Sequence, residues 1–187
     1  MKVIILEGIA TSGKTTIKNL LEEYFQSHNL SYLVVEEDET LLPFLHNTDE
    51  NFAKQHLREV ILKYFKQERD YLIFDRLYFT HIHRTNSGIE EFKEIEDLIK
   101  EKNGKIIFLK IQEESIPKRI FDTMKLRGGN WKKYVESKGN KEDIINYYTT
   151  QQRKLLKHLE ETEVDFEIFD STKMDFNRIN EKILQKI

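Results

Sequence analysis

Residues 8–15 read Gly8-Ile9-Ala10-Thr11-Ser12-Gly13-Lys14-Thr15 and satisfy G-x-x-x-x-G-K-[ST] without departure. The flanks constrain the fold as much as the pattern does. Val3-Ile4-Ile5-Leu6 is a short apolar run rich in β-branched residues, suited to a strand buried on both faces. Ile17, Leu20, Leu21, Tyr24 and Phe25 then recur at helical spacing, which predicts an amphipathic helix from about Lys14 to His28, with Asn29 as its C-terminal cap. Strand, tight loop and helix in that order place backbone N–H groups and the positive end of a helix dipole around an anion. Gly8 and Gly13 let the backbone fold closely, and the amides from Ile9 through Thr16 converge on a phosphate. Lys14 is then expected at the β- and γ-phosphates and the Thr15 hydroxyl on Mg²⁺. A chance match to the pattern is expected in on the order of one chain in a hundred or fewer.

Downstream, strands and helices alternate. Tyr32-Leu33-Val34-Val35, Tyr71-Leu72-Ile73-Phe74, Lys105-Ile106-Ile107-Phe108-Leu109 and Phe166-Glu167-Ile168-Phe169 read as four more strands. Between them, Thr48 or Asp49 is expected to cap a helix bearing Ala53, Leu57, Val60 or Ile61, and Tyr64. Ser87-Gly88-Ile89-Glu90 reads as a capping box that opens a helix with Phe92, Ile95 and Ile99, closed by Gly104. Ser115 is expected to cap a short helix with Pro117 in its first turn. A longer helix carries Ile144 or Ile145, Tyr148, Leu155 and Leu159, and a terminal one carries Phe176, Ile179 and Ile183. The pattern implies right-handed crossovers and a five-stranded, mostly parallel sheet covered on both faces. Segments 37–47, 76–87 and 125–141 read as irregular. The first two follow strand ends, where open α/β sheets bind ligands.

Composition narrows the class. The 187 residues include only seven Gly and two Pro, against the about 13 and about nine of average usage, so a linker or disordered tail is excluded. No Cys is present, which excludes disulfides and thiolate zinc sites. Net charge is −3, which argues against a nucleic-acid partner. No apolar run has the length of a secretory signal or a membrane span, so the chain reads as one cytoplasmic globular domain over residues 1–187.

Asp75 directly ends the third strand, and an acid there suits Mg²⁺, alongside Thr15. Arg76 suits the phosphoryl acceptor, or a salt bridge with a neighbouring acid. Of eight Arg, four (Arg76, Arg84, Arg119 and Arg127) fall in segments where a site is expected. Arg119 and Arg127 bracket a lid near residues 125–141, where Gly128-Gly129 permits movement. His81 and His83 lie two apart, a spacing that suits one metal poorly. Tyr78, Phe79 and Trp131 suit either stacking on a base or the core.

These motifs resemble a known group. Ile5-Leu6-Glu7-Gly8 leading into the phosphate loop is similar to the opening of thymidylate kinases and deoxynucleoside kinases, and Phe74-Asp75-Arg76-Leu77-Tyr78 resembles the Asp-Arg-Tyr segment of thymidylate kinases. Arg119-Ile120 is similar to the pair that opens the lid region in both. The chain departs from deoxynucleoside kinases at Thr123, where they carry a second Arg, and from thymidylate kinases at Glu36-Glu37-Asp38-Glu39-Thr40, where they carry a Gly-rich segment. The resemblance implies a three-layer P-loop kinase fold and transfer of the γ-phosphoryl of ATP-Mg²⁺ to a nucleoside or nucleoside monophosphate. It also implies a carboxylate base at Glu36 or Glu37, with Lys14, Asp75, Arg76 and Arg119 as further catalytic groups and Arg127 as a nucleotide contact. A kinase of another small metabolite and a nucleotide switch without acceptor are the alternative readings. A GTP switch needs a guanine-reading Asn-Lys-x-Asp run after a late strand, and strand five leads instead into Asp170-Ser171-Thr172-Lys173. The terminal helix suits packing and homodimer formation equally.

Overall fold

The computed structural model describes residues 1–44 and 49–187. Its strands are Lys2–Glu7 (β1), Tyr32–Val35 (β2), Tyr71–Asp75 (β3), Lys105–Lys110 (β4) and Asp165–Asp170 (β5). They form one parallel sheet in the order β2-β3-β1-β4-β5. The central strand β1 is buried from Val3 to Glu7, which is why its sequence is continuously apolar and not alternating. The edge strand β5 is largely exposed and alternates instead.

Successive residues of each strand serve opposite layers. Ile4, Leu6, Ile73, Ile107 and Leu109 pack with α1 (Lys14–Ser27) and α9 (Phe176–Leu184) through Ile17, Leu21, Phe25, Ile179 and Ile183. Val3, Ile5, Leu72, Phe74, Ile106 and Phe108 face the other layer. That layer holds α3 (Glu50–Phe65), α4 (Phe79–Thr85), α5 (Lys93–Glu101), α6 (Ile116–Arg127) and α8 (Lys141–Glu161). This is the three-layer parallel architecture of the P-loop kinase type.

The three segments that read as irregular are mostly helical. Residues 37–44 hold a short helix, α2 (Glu37–Thr40), and a 3-10 turn at Leu42–Phe44. Residues 79–85 form α4, whose inner face buries Phe79 and Ile82 together with His81, so a polar-looking stretch conceals a core face. Residues 125–141 are the end of α6, a turn at Gly128 (φ 53°, ψ −153°) and a further helix, α7 (Gly129–Glu136).

Two expected caps are absent. Ser87 donates to Glu50 instead of capping, and α5 begins only at Lys93 after a 3-10 turn. Ser115 makes no side-chain cap, although Pro117 does sit in the first turn of α6. The capping box that forms is at α8. There the Asn140 side chain accepts from Glu142 N and Asp143 N, and Asp143 accepts from Asn140 N. Asp49 caps α3, accepting from Phe52 N at 3.0 Å; Thr48 lies outside the described residues.

Candidate active site

The carboxyl ends of β1, β2 and β3 open onto a cavity of about 670 Å³, the crevice where this sheet type binds ligands. One end is the phosphate loop. Gly13 holds φ +104°, and a Cβ there would lie 2.1 Å from Phe176 Cε1. Gly8 holds φ +140°, and its Cβ would meet the Leu109 carbonyl at 2.6 Å. Only glycine fits both positions, so the loop keeps its tight curve. Ala10, Thr11, Gly13, Lys14, Thr15 and Thr16 line the cavity. Ile9 and Ser12 are buried beneath it.

Lys14 is buried, and its Nζ donates to the Gly8 and Ile9 carbonyls at 3.0 and 3.1 Å. Burial, with Arg76 adding repulsion, brings its pKa down to about 7. The ammonium therefore lacks a full counter-charge, and an anion in the loop would supply one.

Asp75 is buried at the end of β3, beside Leu6 of β1. Its Oδ1 has no hydrogen-bond partner among the described residues, and burial holds its pKa above the ordinary carboxylate value. A buried carboxylate oxygen without a donor, together with the cavity-facing Thr15, suits a hard cation with oxygen ligands. No cluster of three or more His, Cys, Asp or Glu that could hold a metal occurs among the described residues. His81 is buried and bonds the Thr40 carbonyl through Nε2 at 2.8 Å.

Arg76 adopts φ 68° at the exit of β3, and its side chain reaches the phosphate loop. Its Nε donates to Glu37 Oε2 at 2.9 Å, and its Nη1 donates to the Gly8 carbonyl and Thr80 Oγ1, both at 3.1 Å. Burial pushes the Glu37 carboxyl up, but Arg76 and Lys14 outweigh it and hold it below its ordinary value. Glu37 is thus ionised, lines the cavity, and stands in the same field as Lys14.

Glu36 is turned elsewhere. It accepts from Lys18 at 2.6 and 2.7 Å, is half exposed, and is not part of the cavity wall. Glu39 pairs with Lys63 and Tyr64. The acidic run is therefore divided among separate cations, and of its paired members only Glu37 reaches the cavity.

Arg119 bridges the phosphate loop to the loop after β5, donating to the Thr11 carbonyl and, at 3.0 Å, to the Ser171 carbonyl. Arg127 lies over the Trp131 ring, with its guanidinium carbon 5.7 Å from the centroid. Arg76, Arg84, Arg119 and Arg127 all line the cavity, whereas Arg58 and Arg153 make exposed surface pairs.

Tyr78 and Phe79 are fully buried and line no part of it. Tyr78 donates to Glu96 at 2.9 Å, so any base stacking falls to other aromatics. The far wall is instead Trp131, Tyr134, Tyr147, Tyr148 and Gln151, of which the sequence singled out only Trp131 for the site. Glu7 was also missed. It is fully buried, accepts from Leu77 N at 3.0 Å, and so fixes the turn that carries Asp75 and Arg76. An acid at the end of an otherwise apolar buried strand is the signal for it.

Comparison with known proteins agrees with this architecture. Residues 1–86 match the family model described as chromatin associated protein KTI12. No curated protein sequence matches the chain. Among solved structures, it is similar to the YorR protein of Bacillus subtilis, solved in complex with phosphorylated GDP. That likeness has TM-score 0.67 at 18% identity and covers 97% of this chain and 93% of the other. It is also similar to the deoxyadenosine kinase of M. mycoides, solved with dCMP and dCDP, with TM-score 0.55 at 17% identity, covering 100% and 97%. The chain has the P-loop kinase fold. Among the described residues, no helix is long and apolar enough to cross a membrane.

Proposed function

We propose that this protein is an ATP-dependent phosphotransferase whose acceptor is a nucleoside hydroxyl. One observation carries the reading: a single cavity holds the phosphate loop and the Glu37–Arg76 pair together. A nucleotide switch needs the first and has no use for an ionised, cavity-facing carboxylate held beside it. A nucleoside monophosphate fits less well, because Arg76 is already engaged by Glu37, Gly8 and Thr80. The two solved relatives are consistent with this reading, one being named a deoxyadenosine kinase and the other holding a guanine nucleotide.

Lys14 and the amides of residues 9–16 hold the donor phosphates, and the low pKa of free Lys14 rises as the anion arrives. Thr15 and Asp75 would hold Mg²⁺, which supplies charge neutralisation to the polyphosphate when bound. Glu37 orients the acceptor hydroxyl and accepts its proton, a role worth about 100-fold to 10,000-fold in rate. Arg76 keeps Glu37 ionised and aimed. Arg119 holds the phosphate loop against the loop after β5. Arg127, Trp131 and the exposed Leu126 form a helical lid over residues 125–141, pivoting at Gly128. The lid closes the site against water and brings Arg127 to the donor.

The test is ATP turnover with and without a panel of nucleosides, nucleoside monophosphates and sugars. Stimulation by nucleosides alone is the expected result. Stimulation by monophosphates and not by nucleosides would overturn the hydroxyl assignment, and ATP binding with no acceptor phosphorylated would favour the switch.

A further inference from the structure

The α8 wall of the cavity contains two adjacent glutamines with opposite circumstances. Gln152 is fully buried and fully satisfied: its Oε1 accepts from Ile111 N at 2.9 Å and its Nε2 donates to the Ile111 carbonyl at 2.7 Å. That residue ties α8 to the chain leaving β4. Gln151 is 8% exposed and lines the cavity, and its side chain makes no hydrogen bond among the described residues. Tyr148, three residues earlier on the same helix, is 1% exposed and also lines the cavity, and its buried hydroxyl has no partner either. Residues three apart on a helix share a face. A buried hydroxyl without a partner and a cavity-lining carboxamide that bonds no protein group therefore sit together on one wall. Buried polar groups are normally paired, and an exception calls for an explanation.

We propose that Gln151 and Tyr148 form the subsite that reads the nucleobase of the acceptor, an inference that rests on the acceptor reading given above. A carboxamide presents an acceptor oxygen beside an NH₂ donor in one plane. Its complement is a planar ring edge with a donor next to an acceptor, as nucleobases have. The surroundings suit a flat ring. Tyr147 and Trp131 line the same cavity, and the Tyr147 ring stands edge-on to Tyr148 with centroids 5.1 Å apart. Aromatic faces stack on bases with little regard to sequence, which leaves discrimination to the hydrogen-bonding groups.

Position also favours the acceptor over the donor. Tyr147 lies against His83 of α4, with ring centroids 6.0 Å apart, and α4 follows the turn bearing Arg76. Arg84 and Thr80 of α4 line the cavity as well. The α8 wall therefore belongs to the Glu37–Arg76 side. On the opposite side, Met174 and Phe176 follow β5 and border the phosphate loop.

The experiment compares wild type with Gln151→Leu, Gln151→Glu and Tyr148→Phe. The ligands are the ribo- and deoxynucleosides and a nucleoside analogue with a phenyl ring in place of the base. Phosphotransfer and, separately, calorimetric binding of each ligand are read, with thermal unfolding as the folding control. Gln151→Leu is expected to lower kcat/KM for the preferred nucleoside about 100-fold, carried by KM, and to change the phenyl analogue only a few-fold. Gln151→Glu is expected to reorder the bases in favour of those with two neighbouring donors. Tyr148→Phe is expected to cost about tenfold. An unchanged order of bases in all variants, or equal losses for the phenyl analogue and the nucleosides, would overturn the subsite while leaving a nucleoside kinase standing. If no nucleoside binds or reacts, and another metabolite does, the acceptor reading itself falls and takes the subsite with it. If transfer is absent but nucleosides bind in a Gln151-dependent order, the subsite stands and the catalytic reading falls.

Discussion

The two ends of the cavity are built on different principles. The phosphate end is backbone: one contiguous loop, glycines that exclude any Cβ, and amides at a helix start. The end proposed to hold the acceptor is side chains delivered by separate elements: Glu37 from α2, Arg76 from the exit of β3, Arg84 from α4, and Tyr148 and Gln151 from α8. The first kind of site recognises what all nucleoside triphosphates share. The second can change its ligand by single substitutions without disturbing the fold. A fold that keeps the phosphate end constant and varies the acceptor end can serve many acceptors.

The largest expected effect falls at the phosphate end. Lys14→Ala should lower phosphotransfer by about 1000-fold with any acceptor, with the thermal midpoint close to wild type. Retained turnover in that variant would remove the phosphate end from the chemistry.

At the acceptor end, Glu37→Gln should lower kcat by about 100-fold with little change in the KM for ATP. Glu36→Gln should stay within a few-fold, because Glu36 pairs with Lys18 outside the cavity. Equal losses in the two variants would break the assignment of Glu37 as the sole acid of the pair at work.

The contrast explains what could be read from the chain. The phosphate loop and its flanks lie in about a dozen contiguous residues, so local chemistry sufficed, and the sheet followed from buried, β-branched strands. The α8 wall did not follow. Tyr148 and Gln151 sit in a long helix where the periodicity marks Tyr148 as core, and nothing in the local sequence says that its hydroxyl is unpaired. Tyr78 and Phe79, adjacent to the Asp75-Arg76 turn, attracted the stacking role by proximity along the chain. In three dimensions they point into the core and leave the wall to residues some 70 positions later. Choosing between Glu36 and Glu37 required knowing that Lys18 lies beside one and Arg76 beside the other.

A smaller effect sharpens the comparison through stability. The α2 turn that carries Glu37 is held by side chains on its carbonyls: His56 on Glu39 and His81 on Thr40. Burial brings the His81 pKa from 6.5 down to about 4, with its bond to Thr40 opposing. The ring is neutral when folded and protonates at its ordinary value when unfolded. Its contribution is therefore full above about pH 6.5 and is lost as pH falls from there toward about 4, up to about 3 kcal/mol. Urea midpoints at pH 7.5 and pH 5 should show a smaller acid loss in His81→Gln than in wild type. His83, also lowered to about 4 by burial, leaves part of the pH dependence in place. An identical acid loss in the two proteins would contradict the buried, neutral assignment of His81.

The most direct test of the central claim, that one cavity holds donor and acceptor at once, uses a single molecule. Adenosine joined through five phosphates to the preferred nucleoside should bind at least about 100-fold more tightly than ATP, since the second end engages without a second loss of freedom. Glu37→Gln and Gln151→Leu should each reduce that advantage, while Lys14→Ala should weaken both ligands. Binding of the linked molecule no tighter than ATP, and indifferent to Glu37 and Gln151, would contradict the account.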